Sequence, residues 1–497
     1  MDKQLSISHF GKVLLSFCTA AVLLSSCAID GYDDEQFDRT SGVQLASPAS
    51  DDITITPNAD GTQMTIAWPV VPGAGGFLVS LVNDADPGNP VVKDSVVDGS
   101  KVVLPRMEDQ EYTFTIRTLG NTELDNTEAA EATNKVFSTF APAYATIPDG
   151  TDLTVYFQEN PLPDGVSRDE KPFDLVAGGH YTMSGNIDFR GNRAALRCTN
   201  EANPATITIS GDASIKTYSG LLLKNLVLNC AEETNPLIQL DNDPDESIKN
   251  LVSTKGNYYY ILDPMRIVNC KINDLADEVI NANKTNYCVT NFIVDNSVFR
   301  FATSSSMSSS TYFDMYSNGG VEYFKATNST FYNTTSHEMK YFLRYNNAFR
   351  PDRQGYTDGS VEFSNCTFYN IVKSGQICNY GGWKPSTGVK YILKNNIVVN
   401  TGNKQFVRRF FGGSSWANVL SAGGSTVEYN TYFMDGADAW TMPDASDPTT
   451  WTGEAQYDKS GTIVAGDPGF KDADNGDFTV SGAAQIQNKC GDPRWIK

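Results

Sequence analysis

The chain has 497 residues, 40% of them hydrophobic and 20% charged, which is a globular composition with room for more than one domain. Against 38 Lys and Arg stand 59 Asp and Glu, a net charge of −21. That balance excludes a nucleic-acid binder, which needs cations to displace counterions from phosphates, and it disfavours an anionic membrane surface. An acidic polysaccharide would also be repelled at long range unless a divalent cation or a local basic patch intervened.

Lys3 and Lys12 flank a short polar start, and Val13 to Ser26 is an apolar stretch of 14 residues. That is too short to span a bilayer, which takes about 20, and reads as the core of an export signal. It closes on Leu24-Ser25-Ser26-Cys27, which resembles the lipobox of bacterial lipoproteins. The resemblance implies removal of residues 1–26 and diacylglycerol on Cys27, hence an anchor in a membrane. Asp30 and Asp33-Asp34-Glu35 follow, an acidic cluster resembling the surface-export signal of some Gram-negative lipoproteins. Outer-membrane, outward-facing attachment is therefore expected. Residues 27–50 lack apolar periodicity and read as an acidic tether.

From 51 to 140 short alternating runs are separated by turn residues, the pattern of a β-sandwich. Met64-Thr65-Ile66-Ala67-Trp68 alternates, Gly76 to Val82 follows, and Leu104 precedes Tyr112 by eight positions. This arrangement resembles a fibronectin type III domain, with Tyr112 at the tyrosine-corner position. The resemblance implies a spacer or docking module.

From 147 onward the signal is self-similarity. A phrase of apolar residues, Asn, a small or polar residue and more apolar residues recurs. Examples are Lys224-Asn225-Leu226-Val227-Leu228, Val268-Asn269-Cys270-Lys271-Ile272 and Ser364-Asn365-Cys366-Thr367-Phe368. The leading Asn falls at 225, 269, 296, 328, 365, 395 and 430, at intervals of 44, 27, 32, 37, 30 and 35. An elastic period with a constant phrase fits rungs of a parallel β-helix with variable loops. An Asn amide both donates and accepts, so stacked Asn side chains can bond the rungs above and below. Phe173 to Tyr181 and Gly185 to Phe189 resemble the first rungs of pectate-lyase-like β-helices, and Asp467 to Val480 resembles a closing rung. Together these imply an all-β chain: a fibronectin III-like sandwich, then a right-handed single-stranded parallel β-helix. The helix is read in two parts, 147–288 and 289–497, because the phrase becomes more regular and aromatic near 288. The whole resembles uncharacterised lipoproteins found beside glycan-uptake machinery of Gram-negative gut bacteria. That implies polysaccharide, including pectic polysaccharide, and uptake-complex components as partners.

Behind Cys27 lie seven cysteines, an odd number with no CxxC pair, which argues against a disulfide or zinc framework and for buried apolar thiols. No nucleophile elbow, P-loop or HExxH occurs. Of the three histidines, His9 leaves with the signal and His180 and His337 form no catalytic pattern. β-Helix lyases acting on uronates need acids for Ca²⁺ and an Arg or Lys base. The nearest acidic group is Asp274, Asp277 and Glu278, the candidate metal ligands, but it lacks the tight spacing of a lyase or hydrolase. Basic and aromatic residues instead gather between the phrases. Arg344, Tyr345, Tyr380, Trp383, Arg408, Arg409 and Trp416 are the candidate ligand-binding set, because rings stack on sugar faces and guanidinium forks grip carboxylates. Arg344, Arg350, Lys384 and Arg408 are the candidate bases if the chain cuts its ligand. The reading that follows is a surface lipoprotein that binds polysaccharide without catalysis. A Ca²⁺-dependent pectate-type lyase is the alternative, and a structural adhesin the third.

Overall fold

The structure, a computed structural model, describes residues 41–497 apart from 59–62, 85–86, 108, 251–257, 283–284, 305–310, 316–318, 346–358, 374, 381–387, 403–405, 414–415, 422 and 435–457. It divides into two compact units, one up to Phe140 and one from Ala141. Cys27 and the acidic tether up to residue 40 lie outside the described residues.

The first unit is an antiparallel sandwich. One sheet has three strands, Thr54–Pro57, Gln63–Ala67 and Lys101–Pro105. The other runs Val92–Val97, Phe77–Asn83, Glu111–Thr118 and Thr133–Ser138 in spatial order. Strict alternation explains the two layers. Phe77, Val79 and Leu81 bury one edge of their strand, and Tyr112, Phe114 and Ile116 do the same on theirs. Trp68 closes the core edge-on to Phe77 at 5.3 Å. Tyr112 is fully buried, stacks on Phe137, and its hydroxyl accepts the Met107 N–H at 3.1 Å. This ties the strand to the chain five residues upstream.

The second unit is a coil of parallel strands with three faces, right-handed as parallel crossovers are. The first complete rung comprises Val166–Leu175, His180–Met183 and Ile187–Asp188. A later one comprises Gly320–Thr327, Thr330–Asn333 and Tyr341–Tyr345. The strand ladders run without a break across residues 288 and 289, since Tyr287–Asp295 pairs with Met265–Val268 on one side and Gly320–Thr327 on the other. Inside, like stacks on like. Phe299, Phe331 and Phe368 form one column at 5.1 and 5.3 Å, and Phe292 stacks on Phe324 at 5.7 Å. Burying each such ring contributes roughly 1.5–3 kcal/mol, and each aromatic pair about 0.5–1.5 more.

The corner from first to second face is where Asn is required. Asn225, Asn269, Asn296, Asn328, Asn365 and Asn395 all have φ between 46° and 54°. This left-handed conformation costs most side chains about 1–2 kcal/mol, and Asn pays less because its short amide bonds locally. The side chains form a broken ladder. Asn296 Nδ2 donates to Asn269 Oδ1 at 3.1 Å and Asn269 Nδ2 to Asn225 Oδ1 at 2.8 Å. Asn225 in turn donates to the Cys198 carbonyl. Asn365 donates to Asn328, but Asn328 donates to Asp295, and Asn395 to the Asn488 carbonyl. At the last corner the expectation fails. Tyr429, at φ 53°, holds the left-handed position, and Asn430 is one step on and fully buried. It belongs to a second column pointing inward, with Cys270, Ser297, Ser329, Cys366 and Asn396. Ser297 Oγ receives the Cys270 N–H, and Asn430 Oδ1 receives the Asn396 N–H.

All seven cysteines behind the tether are free and buried. Burial raises the Cys270 thiol to about 12 and the Cys366 thiol further, so neither is reactive at neutral pH. The stretch expected to close the coil does something else. Phe470–Asp472 and Asp477–Val480 pair antiparallel as a separate hairpin, because Gly476 at φ 83° turns the chain back. Phe478 then packs on Tyr332 and Tyr369, the outward rings of the second face, and Trp495 packs on Phe478. The last rung is Thr426–Glu428 and Thr431–Phe433.

Candidate functional site

The third face carries a row of outward polar side chains that ends among three of the candidate residues. Along it an inward apolar residue is followed each time by an outward polar one: Ile280-Asn281, Phe313-Asp314, Leu343-Arg344 and Cys378-Asn379. The strand register aligns the outward residues in one row, Asp188, Lys216, Gln239, Asn281, Asp314, Arg344 and Asn379. Adjacent members are one strand spacing apart, about 4.8 Å. The helix Phe406–Phe410 packs on Gln376–Asn379, the last strand of this face, and so brings Arg408 and Arg409 to its end.

At that end the cations gather around one ring. Arg344 Cζ lies 5.3 Å from the centre of the Tyr341 ring and Lys340 Nζ 5.4 Å from it, both in cation–π range. Arg409 interacts electrostatically with the same tyrosine and with Arg408. Burial first, and then the neighbouring Arg408 charge, lower the Arg409 pKa, so the positive charge of Arg409 is disfavoured where it stands. Asp314 offsets part of this, its Oδ1 3.3 Å from Arg344 Nε, with both side chains largely covered. One row-step away Asn281 donates to Glu278 Oε1 at 2.9 Å. At the far end of the row Asp188 is held above the ordinary carboxylate range, by burial and then by the charge of Asp241.

Of the sequence candidates, this place unites Arg344, Arg408 and Arg409. Tyr345 and Tyr380 do not belong to it as sugar platforms. Both are 1% exposed, their rings pack together at 5.4 Å, and Tyr380 packs on Tyr391. They are core, because Tyr345 follows outward Arg344 in a strand of period two. Trp416 is half-buried against Phe411. Arg350, Trp383 and Lys384 lie outside the described residues. Sequence reading missed Tyr341, Lys340 and Asp314. The repeated apolar–polar pair on the third face is the signal that would have found Asp314.

The acidic candidates separate. Asp274 turns to Arg300 in a salt bridge. Asp277 accepts the Glu278 backbone N–H at 3.0 Å, and Glu278 is engaged with Asn281. Among the described residues no three His, Cys, Asp or Glu side chains are grouped to hold a metal ion. His337 serves through its carbonyl, which receives Thr303 and Asn333.

Three families match the chain in succession, each described as a domain of unknown function: DUF4992 over residues 5–177, DUF4957 over 179–334 and DUF5123 over 324–495. No curated protein matches it. A Family 28 exopolygalacturonase of Yersinia enterocolitica is similar at 11% identity, over 78% of this chain and 90% of that one. Its TM-score of 0.16 is too low to bear on activity.

Proposed function

We propose that the protein is a lipid-anchored surface protein that binds a uronate-bearing polysaccharide at the end of its third face, without cutting it. One observation carries the reading: Lys340 and Arg344 lie over the Tyr341 ring, and Arg409, next to Arg408, interacts electrostatically with it, in a chain of net charge −21. An arginine whose charge is disfavoured by burial and by a neighbouring cation, as that of Arg409 is, gains from an anion, and guanidinium groups grip carboxylates bidentately. In this reading Cys27 carries the lipid, the acidic tether and the fibronectin III-like sandwich act as spacers, and the coil presents its ligand face outward. Pectic polysaccharide and the components of a glycan-uptake complex are the partners.

The test is calorimetric titration of the mature chain, Cys27→Ser, with oligogalacturonates. Binding that weakens about 10-fold or more in Arg344→Ala and in Arg409→Ala is expected, from the roughly 1.5–3 kcal/mol of a charged hydrogen bond. Undiminished binding in both variants, or none in the parent, refutes the site. Growth of the ultraviolet absorbance of unsaturated uronides, with Ca²⁺ present, would refute the non-catalytic half and establish the lyase reading.

A further inference from the structure

A second place on the coil has a different chemistry. On the first face the strands Tyr287–Asp295, Gly320–Thr327, Gly359–Ser364 and Val389–Lys394 lie in parallel register. Their outward side chains floor a groove of about 510 Å³, a size that holds a small ligand. Asp295, Thr327, Ser364 and Lys394 form one row, and Ile293, Lys325 and Glu362 the next. The corner residues Asn328, Asn365 and Asn395 make the wall. Among the described residues no aromatic ring lines it, and two lysines and two carboxylates do.

The wall is where the Asn ladder breaks. Arg494 occupies Asn296 Oδ1 at 2.6 Å, so Asn328 turns to Asp295 Oδ1 instead. Asn395 turns away to the Asn488 carbonyl, so Asn365 Oδ1 receives no donor among the described residues. Three further groups are left over in the same way. Among the described residues Asp295 engages Thr327 and Asn328 through Oδ1 alone, which leaves Oδ2. Glu362 receives Ser364 through Oε1 at 2.9 Å, which leaves Oε2. Lys325 is exposed and has no partner among the described residues, whereas Lys394 is paired with Glu428 at 2.7 Å. Three acceptors and one multiple donor therefore face one trough.

We infer that this groove is a second ligand site, one for an uncharged polyhydroxylated chain, that is, a neutral oligosaccharide. A hydroxyl both donates and accepts, so neighbouring hydroxyls satisfy Asp295, Glu362, Asn365 and Lys325 together. A carboxylate or phosphate would meet Lys325 but face two unpaired carboxylate oxygens, and an ammonium would meet the reverse. Without a stacking ring the affinity is modest, with Kd on the order of 1 mM. The inference shares with the proposed function only the premise that the chain handles polysaccharide.

Titration of the detergent-solubilised full chain with cellohexaose, xylohexaose, mannohexaose and maltohexaose decides it. At least one hexaose should bind, about 5-fold or more weaker to Lys325→Met, not at all to Thr327→Trp, whose indole fills the trough, and unchanged to Arg344→Ala. If Thr327→Trp does not fold, Lys325→Met decides alone. Hexaose binding that survives both groove substitutions, or that is lost in Arg344→Ala, overturns the inference. Oligogalacturonate binding without any hexaose binding overturns the groove and leaves the Arg344 site standing. Binding of neither ligand class overturns both.

Discussion

Replacing Asn269 tests what holds the coil's corner together. Its side chain donates to Asn225 and accepts from Asn296, and its backbone sits at φ 52°. Asn269→Ala removes two hydrogen bonds, each worth about 0.5–1.5 kcal/mol net. It also places a Cβ, without a compensating amide, in a conformation costing about 1–2 kcal/mol. The expected loss is about 2–5 kcal/mol. Asn269→Gly loses the same two bonds but none of the left-handed strain, offset in part by the greater freedom of glycine in the unfolded chain. Glycine should therefore be the milder substitution, by roughly 1 kcal/mol. Urea titration followed by tryptophan fluorescence and far-ultraviolet circular dichroism reads the shift of the solenoid transition. Equal loss in both variants, or a milder effect of alanine, would show that the corner conformation contributes nothing and that the ladder alone explains the Asn repeat.

Tyr429 pays the same backbone strain without an amide, so Tyr429→Asn should stabilise by about 1 kcal/mol, measured in the same titration; destabilisation would contradict the strain account. Burial raises the Asp492 carboxyl from 3.8 to about 6, against the lowering effects of Arg494 and Thr330. A raised acid favours the fold most below its unfolded pKa, so this contribution falls as pH rises from about 4 to 6, by at most roughly 3 kcal/mol. Asp492→Asn should flatten the melting temperature across that window, and an unchanged pH profile would exclude Asp492 as its source. Burial also holds the Glu233 carboxyl well above its ordinary value, next to the Cys230 thiol. Glu233→Gln should then make stability fall less steeply with rising pH than in the parent, and an unchanged pH profile would exclude Glu233 as a source of that dependence. Metabolic labelling with palmitate should mark the wild-type chain and not Cys27→Ser, and labelling of both would remove the anchor.

The fold was legible where one position has a physical demand that few residues meet. Six corners need a left-handed residue that also bonds its neighbours, and Asn recurs there. The seventh was misplaced for a reason internal to the motif. Asn suits both the corner and the buried column beside it, so Asn430 fits the phrase whichever place it takes. Only Tyr429 in front of it, against the pattern, distinguishes the two. The terminal hairpin was misread because Phe470 and Phe478 supply the aromatic positions a rung would need, while the turn at Gly476 decides that the strands run antiparallel. The site was less legible than the fold. Tyr345 and Tyr380 looked like exposed rings because they stand among arginines and glycines in sequence. In the coil, alternation sends Arg344 out and Tyr345 in, and spacing along the chain says nothing about which side of a strand a ring takes.

The charge pattern separates the two faces more sharply than the total charge does. A chain at −21 repels polyanions at a distance, but beyond about a Debye length, roughly 8 Å in physiological salt, that repulsion is largely screened. What a ligand meets on contact is local. At the end of the third face it meets Lys340, Arg344, Arg408 and Arg409, with Asp314 holding Arg344 in place. In the first-face groove it meets Lys325 beside the carboxylates of Asp295 and Glu362, with Lys394 already paired to Glu428. Asp314 is then the residue that tunes the first of these sites. Removing its charge in Asp314→Asn releases Arg344 to an incoming carboxylate while the shape of the side chain is kept. Oligogalacturonate affinity should rise severalfold and become more sensitive to salt, with the groove's preference for neutral hexaoses untouched. Weaker binding in Asp314→Asn would mean that Asp314 serves the ligand by fixing the Arg344 fork, and that geometry outweighs charge at that end of the coil.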